Sequence, residues 1–208
     1  MKSSPAPQQN GFSLLELQVV IGLLAVVAVL SVMGFRYIGE NSRLVRCTNN
    51  LKQLFTACMN YSIDHQGIPC DYVEDIATSQ WKYIAYTGLE KYITTPDGRI
   101  GYSPPYLCPA DKSPYNGFSY GFNGYLTRVD SATGLKLNRV ACWQKKSTTY
   151  LLADATSTII YPNNSNRFSP RHRNGVNLIF LDGHVEWKPH PFTDGANART
   201  DPLWNPNL

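Results

Sequence analysis

Three sets of residues have types and spacings that could do chemistry. The first is His172, Asp182 and His184. A His–Asp pair can ligate a metal or orient a general base. Asp182 followed by Gly183 is, however, what a tight turn demands, and Arg171 and Arg173 beside His172 disfavour a cation. His172 therefore reads as a hydrogen-bonding group for a loop or a carboxylate. The second set is five cysteines, Cys47, Cys58, Cys70, Cys108 and Cys142. None forms a C-x-x-C pair, which argues against a zinc site of the usual spacing. In an exported domain Cys70, Cys108 and Cys142 could form a disulfide, and the odd total leaves at least one thiol unpaired. The third is Glu16, a carboxylate at the front of a long apolar run. A charged side chain in a spanning segment costs about 2.5–3.5 kcal/mol, so Glu16 asks for a partner. There is no G-x-S-x-G, no H-E-x-x-H and no convincing carboxylate pair, and the chain does not read as an enzyme.

The elements that must position these residues begin with composition. The 208 residues suit one globular domain with an appendage, and 43% are hydrophobic, enough for a packed core. Charged residues are 16%, below the usual level of about 25%, so Tyr, Asn, Ser and Thr supply much of the polar surface. A net charge of +4 with no basic tract argues against nucleic acid as a partner.

Residues 1–11 are polar, with two prolines, and read as a leader. From Leu17 to Phe35 no residue is charged, and Val19 to Leu30 is apolar apart from Gly22. A run of about 20 such residues can cross a bilayer as a helix. An ordinary signal peptide fits poorly, because the run is long and no A-x-A site follows. A plain signal anchor leaves Glu16 without a reason. Beyond the span, Leu44, Cys47, Leu51, Leu54, Phe55, Cys58 and Tyr61 recur at helical spacing, with Arg43, Arg46, Asn49, Asn50, Lys52, Gln53 and Asn60 on the other side. Gly67 and Pro69 supply stop signals. One helix is therefore expected from about Phe12 to His65, on the order of 80 Å long, which suits a rod that bundles with copies of itself. Residues 12–35 form its transmembrane half, 36–66 its amphipathic half, and 67–208 a globular head. Cys47 and Cys58 share a face roughly 16 Å apart, too far to bridge each other, and read as small core residues.

In the head, a short helix is expected over Gln80–Tyr92, loops with short strands over 94–125, a strand at Thr149–Ala153 and an irregular tail from Pro189. The strongest signal is a hairpin over 176–188, where Asp182-Gly183 between two β-rich runs predicts a two-residue type I′ turn. That register pairs Phe180 with Val185 and Leu178 with Trp187, placing all four on the core face against the long helix. The fold class expected is α+β: a long N-terminal helix packed on a small antiparallel sheet.

The stretch Gly11-Phe12-Ser13-Leu14-Leu15-Glu16-Leu17 resembles the type III signal of type IV pilins and type II secretion pseudopilins. The resemblance implies cleavage between Gly11 and Phe12 by a prepilin peptidase, N-methylation of Phe12, and a Glu16 that faces the free amine of a neighbouring subunit during assembly. It departs from the family at Asn10, where a basic residue is frequent, and at Gln18. His172, Asp182 and Gly183 form an H-x9-DG element similar to that of prepilin-like proteins from planctomycete and related lineages. Those proteins often carry Cys-x-Asn-Asn-Leu-Lys-Gln, here residues 47–53, and a Cys-Pro segment followed by Ser-Tyr-Gly-hydrophobic-Asn, here Cys108-Pro109 and 119–123. The resemblance implies a single-pass inner-membrane protein with a periplasmic head, whose partners are the peptidase and other pilin or pseudopilin subunits. The charges flanking the span, Lys2 before it and Arg36, Arg43 and Arg46 after it, would by themselves favour the opposite orientation. No cofactor is implied. Calcium binds the heads of some major pseudopilins, and Asp194 or Asp201 could contribute, but no EF-hand-like spacing supports it. The competing function is a membrane-tethered binding module, for carbohydrate, using some of the 13 tyrosines.

Overall fold

The computed structural model describes residues 13–65, 67, 89–95, 101–126, 143–191 and 201–205. The leader, the proposed cleavage pair Gly11 and Phe12, and most of the helix expected over Gln80–Tyr92 lie outside them; of that helix, Leu89–Lys91 form a 3₁₀ turn with Leu89 buried. The chain divides into two compact units, Met1–Asn41 and Ser42–Leu208.

One α-helix, α1, runs over Leu14–Asp64. It starts where Ser13 stands at the N-cap and Glu16 three residues on, and the Glu16 Oε2 accepts the Ser13 N–H at 3.1 Å. This is half of a capping box, which satisfies a donor that the helix itself leaves orphaned. It ends where Gly67, at φ +80°, donates its N–H to the Ser62 carbonyl at 2.7 Å. In the first unit every large apolar side chain from Leu14 to Ile38 is at least half exposed, and the helix is long and apolar enough to span a membrane.

In the second unit the helix buries Cys47, Asn50, Leu51, Leu54, Ala57, Cys58 and Ser62. The apolar stripe is the expected one. Asn50 is the correction, because it sits on the core side and donates Nδ2 to the Leu107 carbonyl at 2.7 Å. A buried amide is stable there because its hydrogen bond is made.

The head is a five-stranded sheet of β1 (Tyr120–Asn123), β2 (Tyr150–Asp154), β3 (Ile159–Ile160), β4 (Gly175–Phe180) and β5 (Val185–Pro189), in the order β3-β1-β2-β4-β5. The fold is α+β as expected, but the sheet is mixed. β3 runs parallel to β1, pairing Phe122 with Ile159, and the other neighbours are antiparallel. Both faces are covered. Against α1 lie Tyr120, Phe122, Leu151, Leu152, Ile179 and Leu181. A second core holds Tyr150, Ala153, Val176, Leu178 and Phe180 with Phe168 and Trp204. Trp204 is fully buried, with its ring edge-on to Tyr150 at 5.1 Å, so the tail expected to be irregular supplies a core residue. Asn123 Nδ2 ties it down by donating to the carbonyls of Tyr150 at 2.9 Å and Trp204 at 3.1 Å.

The hairpin forms, but one residue out of the expected register. Ile179 pairs with Val185, Leu178 with Glu186 and Asn177 with Trp187. The cause is the turn. The Gly183 N–H reaches the Phe180 carbonyl at 2.9 Å, the Phe180 N–H reaches the His184 carbonyl at 2.9 Å, and only Gly183 has positive φ, at +89°. That is a three-residue loop closed by a bulge, not a two-residue type I′ turn. The slip of one parts the four residues expected on one face: Val185 packs with Ile179 in the core against α1, whereas Leu178 and Phe180 face Trp204. A type I′ geometry occurs just upstream, where Arg173 and Asn174 both have positive φ between the bridged pair His172 and Gly175.

Gly121 in β1 has no room for a side chain, since a Cβ there would lie 2.5 Å from the Ser157 carbonyl oxygen and 2.9 Å from the Ala155 Cβ. Backbone cannot yield as a side-chain tip can. Gly121→Ala is expected to lower stability by about 1–3 kcal/mol in urea denaturation, and an unchanged midpoint would contradict this packing.

Candidate functional site

The head's interior holds a cluster of groups that could do chemistry. Four segments contribute to it. Cys47 comes from α1, Cys108 from the loop before β1, Asp154 from the end of β2, and His172 from the turn leading into β4. One ligand atom from each lies within 4.8 Å of the other three. All four residues are buried, with Asp154 and Cys47 at 0% exposure.

Each position has a local cause. Cys47 lies on the buried stripe of the helix. Asp154 closes β2, and the Asn177 N–H and side-chain Nδ2 on the neighbouring strand donate to its Oδ2 at 2.8 and 2.9 Å. Its other oxygen accepts the Cys47 thiol at 3.1 Å. His172 sits in the Arg173–Asn174 turn, which Trp187 pins by donating Nε1 to the His172 carbonyl at 2.7 Å. The indole packs against Gly175, where a Cβ would come within 2.3 Å of the ring. The turn aims the His172 Nε2 at the Cys108 Sγ, 3.2 Å away. Cys108 also accepts the Ala110 N–H at 3.4 Å, and Cys47 accepts the Tyr120 hydroxyl at 3.3 Å. Arg171 is turned aside, paired with Asp111 at 2.8 Å and donating to the Ser119 and Ala155 carbonyls.

The electrostatics are correspondingly divided. Hydrogen bonding from Cys47, and then from His172 and the Ala110 N–H, brings the Cys108 thiol down to about 5 against the effect of burial. Burial raises Cys47 well above the ordinary thiol value. Burial, with the Cys108 charge, raises Asp154 to about 6, although His172 and Asn177 oppose the rise. Burial works to lower His172, but its bond to Cys108 and the charges of Asp154 and Cys108 outweigh that and raise it. The downward shift of Cys108 and the upward shift of His172 both favour charge separation between these two groups, beside an enclosed carboxyl. Two thiols, an imidazole and a carboxyl enclosed together can hold a proton or a cation.

His172, Asp182 and His184 are not one constellation. Asp182 and His184 sit at the hairpin tip, exposed, with Asp182 Oδ1 accepting both the His184 N–H at 3.1 Å and its ring. The His184 ring stacks on Phe180 at 4.3 Å. Asp182 lies below the ordinary carboxylate value; burial opposes that, and the hydrogen bonds from His184 outweigh it. Gly183 meets Phe55 of α1, where a Cβ would come within 2.9 Å of the ring, so the tip needs glycine for space as well as for φ. Among the cysteines, Cys47 and Cys108 are free thiols, whereas Cys58 is disulfide-bonded. Cys58 is thus more than a small core residue, and Cys108 does not join a disulfide. Asp201 caps a turn, its Oδ1 accepting the Leu203 N–H at 2.8 Å, and Asp194 lies outside the described residues.

Compared with family models, curated proteins and solved structures, the chain finds no match. Sequence reasoning placed His172 as a partner for a loop or carboxylate but did not join it to Cys47, Cys108 and Asp154. The available signal was that a Cys and a His of uncommon local context each stood beside tight-turn residues.

Asn177 supplies a side-chain donor to an enclosed carboxylate. Asn177→Val keeps similar bulk and removes that donor, so a loss of about 1.5–3 kcal/mol is expected in equilibrium denaturation. A loss below about 0.5 kcal/mol, the size of a surface substitution, would show that Asp154 does not depend on it.

Proposed function

We propose that this chain is a pilin-like structural subunit without catalytic activity. On this reading it is cut by a prepilin peptidase and assembled into a type II secretion pseudopilus or a type IV-pilus-like filament. The observation that carries the reading is the first unit of α1. Its apolar side chains from Leu14 to Ile38 are exposed throughout, with a single carboxylate at their start. Apolar surface of that extent needs lipid or other helices to cover it. Gly22 and Gly34 have nothing within 4 Å of a Cβ position, and with Ala25 and Ala28 they allow close helix approach. The disulfide at Cys58 suits an oxidising compartment outside the cytoplasm. The inner membrane is then the place of insertion, and the head is periplasmic before assembly.

The capping contact at Glu16 gives its carboxylate a role within its own chain. Assembly and capping can be separated, because glutamine caps as glutamate does but carries no charge. In the native host, mass spectrometry should find a mature N-terminus at methylated Phe12. Glu16→Gln should insert normally and lose most filament incorporation, as should Glu16→Ala. An intact Met1 would refute the processing. Normal incorporation of Glu16→Gln would leave Glu16 a cap only. A processed chain that never leaves its membrane as a polymer would instead be the tethered binding module.

A further inference from the structure

We propose that Cys47, Cys108, Asp154 and His172 form a closed tetrahedral site for a structural zinc ion. The ligand set is two sulfurs, one imidazole nitrogen and one carboxylate oxygen, a mixture that suits a borderline-soft divalent ion and not calcium. The four groups converge from separate segments, so local packing of one element does not explain their meeting.

The geometry is close to that of a filled site. Zinc binds sulfur at about 2.3 Å and nitrogen or oxygen at about 2.0–2.1 Å, which separates tetrahedral neighbours by roughly 3.5 Å. The sulfur–oxygen contact from Cys47 to Asp154 is 3.1 Å, and the sulfur–nitrogen contact from Cys108 to His172 is 3.2 Å. On these two edges an ion asks the cage to open by a few tenths of an ångström, and the other ligand pairs lie within 4.8 Å. The outer contacts are those a metal site uses to aim its ligands. Ala110 and Tyr120 donate to the two sulfurs, and Asn177 holds one oxygen of Asp154 so that the other points inward.

Charge points the same way. Two thiols, a carboxylate and one imidazole supply more acid than base to a buried site, and Arg171 is committed to Asp111. A divalent ion compensates such a set. Binding moves no electrons; zinc takes both sulfurs as thiolates, Asp154 as carboxylate and His172 as neutral imidazole, and the protons those groups carry leave for solvent. Coordination also protects two neighbouring thiols from oxidation in a domain that already contains a disulfide.

The test uses the full chain extracted in detergent, stripped of metal under reducing conditions and titrated with Zn²⁺. One zinc per chain is expected, with a raised unfolding temperature. X-ray absorption should show two sulfurs at about 2.3 Å and two lighter ligands at about 2.0–2.1 Å. Replacement of zinc by Co²⁺ should give the visible bands and sulfur charge transfer of a tetrahedral thiolate site. Tyr120→Phe, which leaves all four ligands in place, should weaken zinc binding by about 10–100-fold, and the hairpin-tip variant Asp182→Asn should not change it. Cys108→Ser can fail to fold, so the absorption data on the unaltered chain decide. A sulfur-free shell, no retained zinc, or a Cys47–Cys108 disulfide in protein isolated without reductant would each overturn the proposal.

Discussion

Asp154 has no path to water, and a carboxylate in that position must have donors or countercharge around it. Meeting that requirement fixes the relation of the head's main parts. Asn177 answers from β4, Cys47 answers from α1, and Tyr120 of β1 reaches the same sulfur. The strands and the helix are thus joined by directional contacts as well as by apolar burial. Apolar packing alone tolerates sliding, whereas a hydrogen-bonded buried group has few equivalent positions. Such polar centres cost free energy when incomplete, which makes the register of helix on sheet specific.

The elements of this fold were largely legible in the sequence, and their meetings were not. Helix α1 declared itself by apolar spacing and by Gly67, and β2 and the hairpin by short β-rich runs. Errors arose where a local rule had a close competitor. Asp-Gly serves both a two-residue turn and a three-residue bulged loop, and only the bond from Gly183 to Phe180 tells them apart. Asn50 looks like solvent-facing polarity until Leu107 is known to lie opposite. Trp204 stands between Leu203 and Asn205 with prolines at 202 and 206, a setting with no periodicity to mark it as core. The buried cluster was the least accessible, because Cys47 and Asp154 are 107 positions apart and their proximity is a product of the whole topology.

The H-x9-DG spacing acquires a physical meaning in this frame. His172 stands at the turn that opens β4, and Asp182-Gly183 forms the turn that closes it, so the interval measures one strand with its two ends. His172 is aimed inward by the first turn and Gly183 fits beneath Phe55 at the second. Lengthening the interval by one residue would reverse the strand's faces or displace one turn from the helix.

Trp204 lies in the second core with Tyr150 and Phe168, and Asn123 reaches across to its carbonyl. β2 and β4 therefore have one face roofed only when residues 201–205 arrive. During synthesis these residues follow all five strands, so the sheet must wait, incompletely covered, for a piece that emerges late. A chain that folds in this way completes its second core only with residues 201–205, so the strands and the segment that seals them become rigid together.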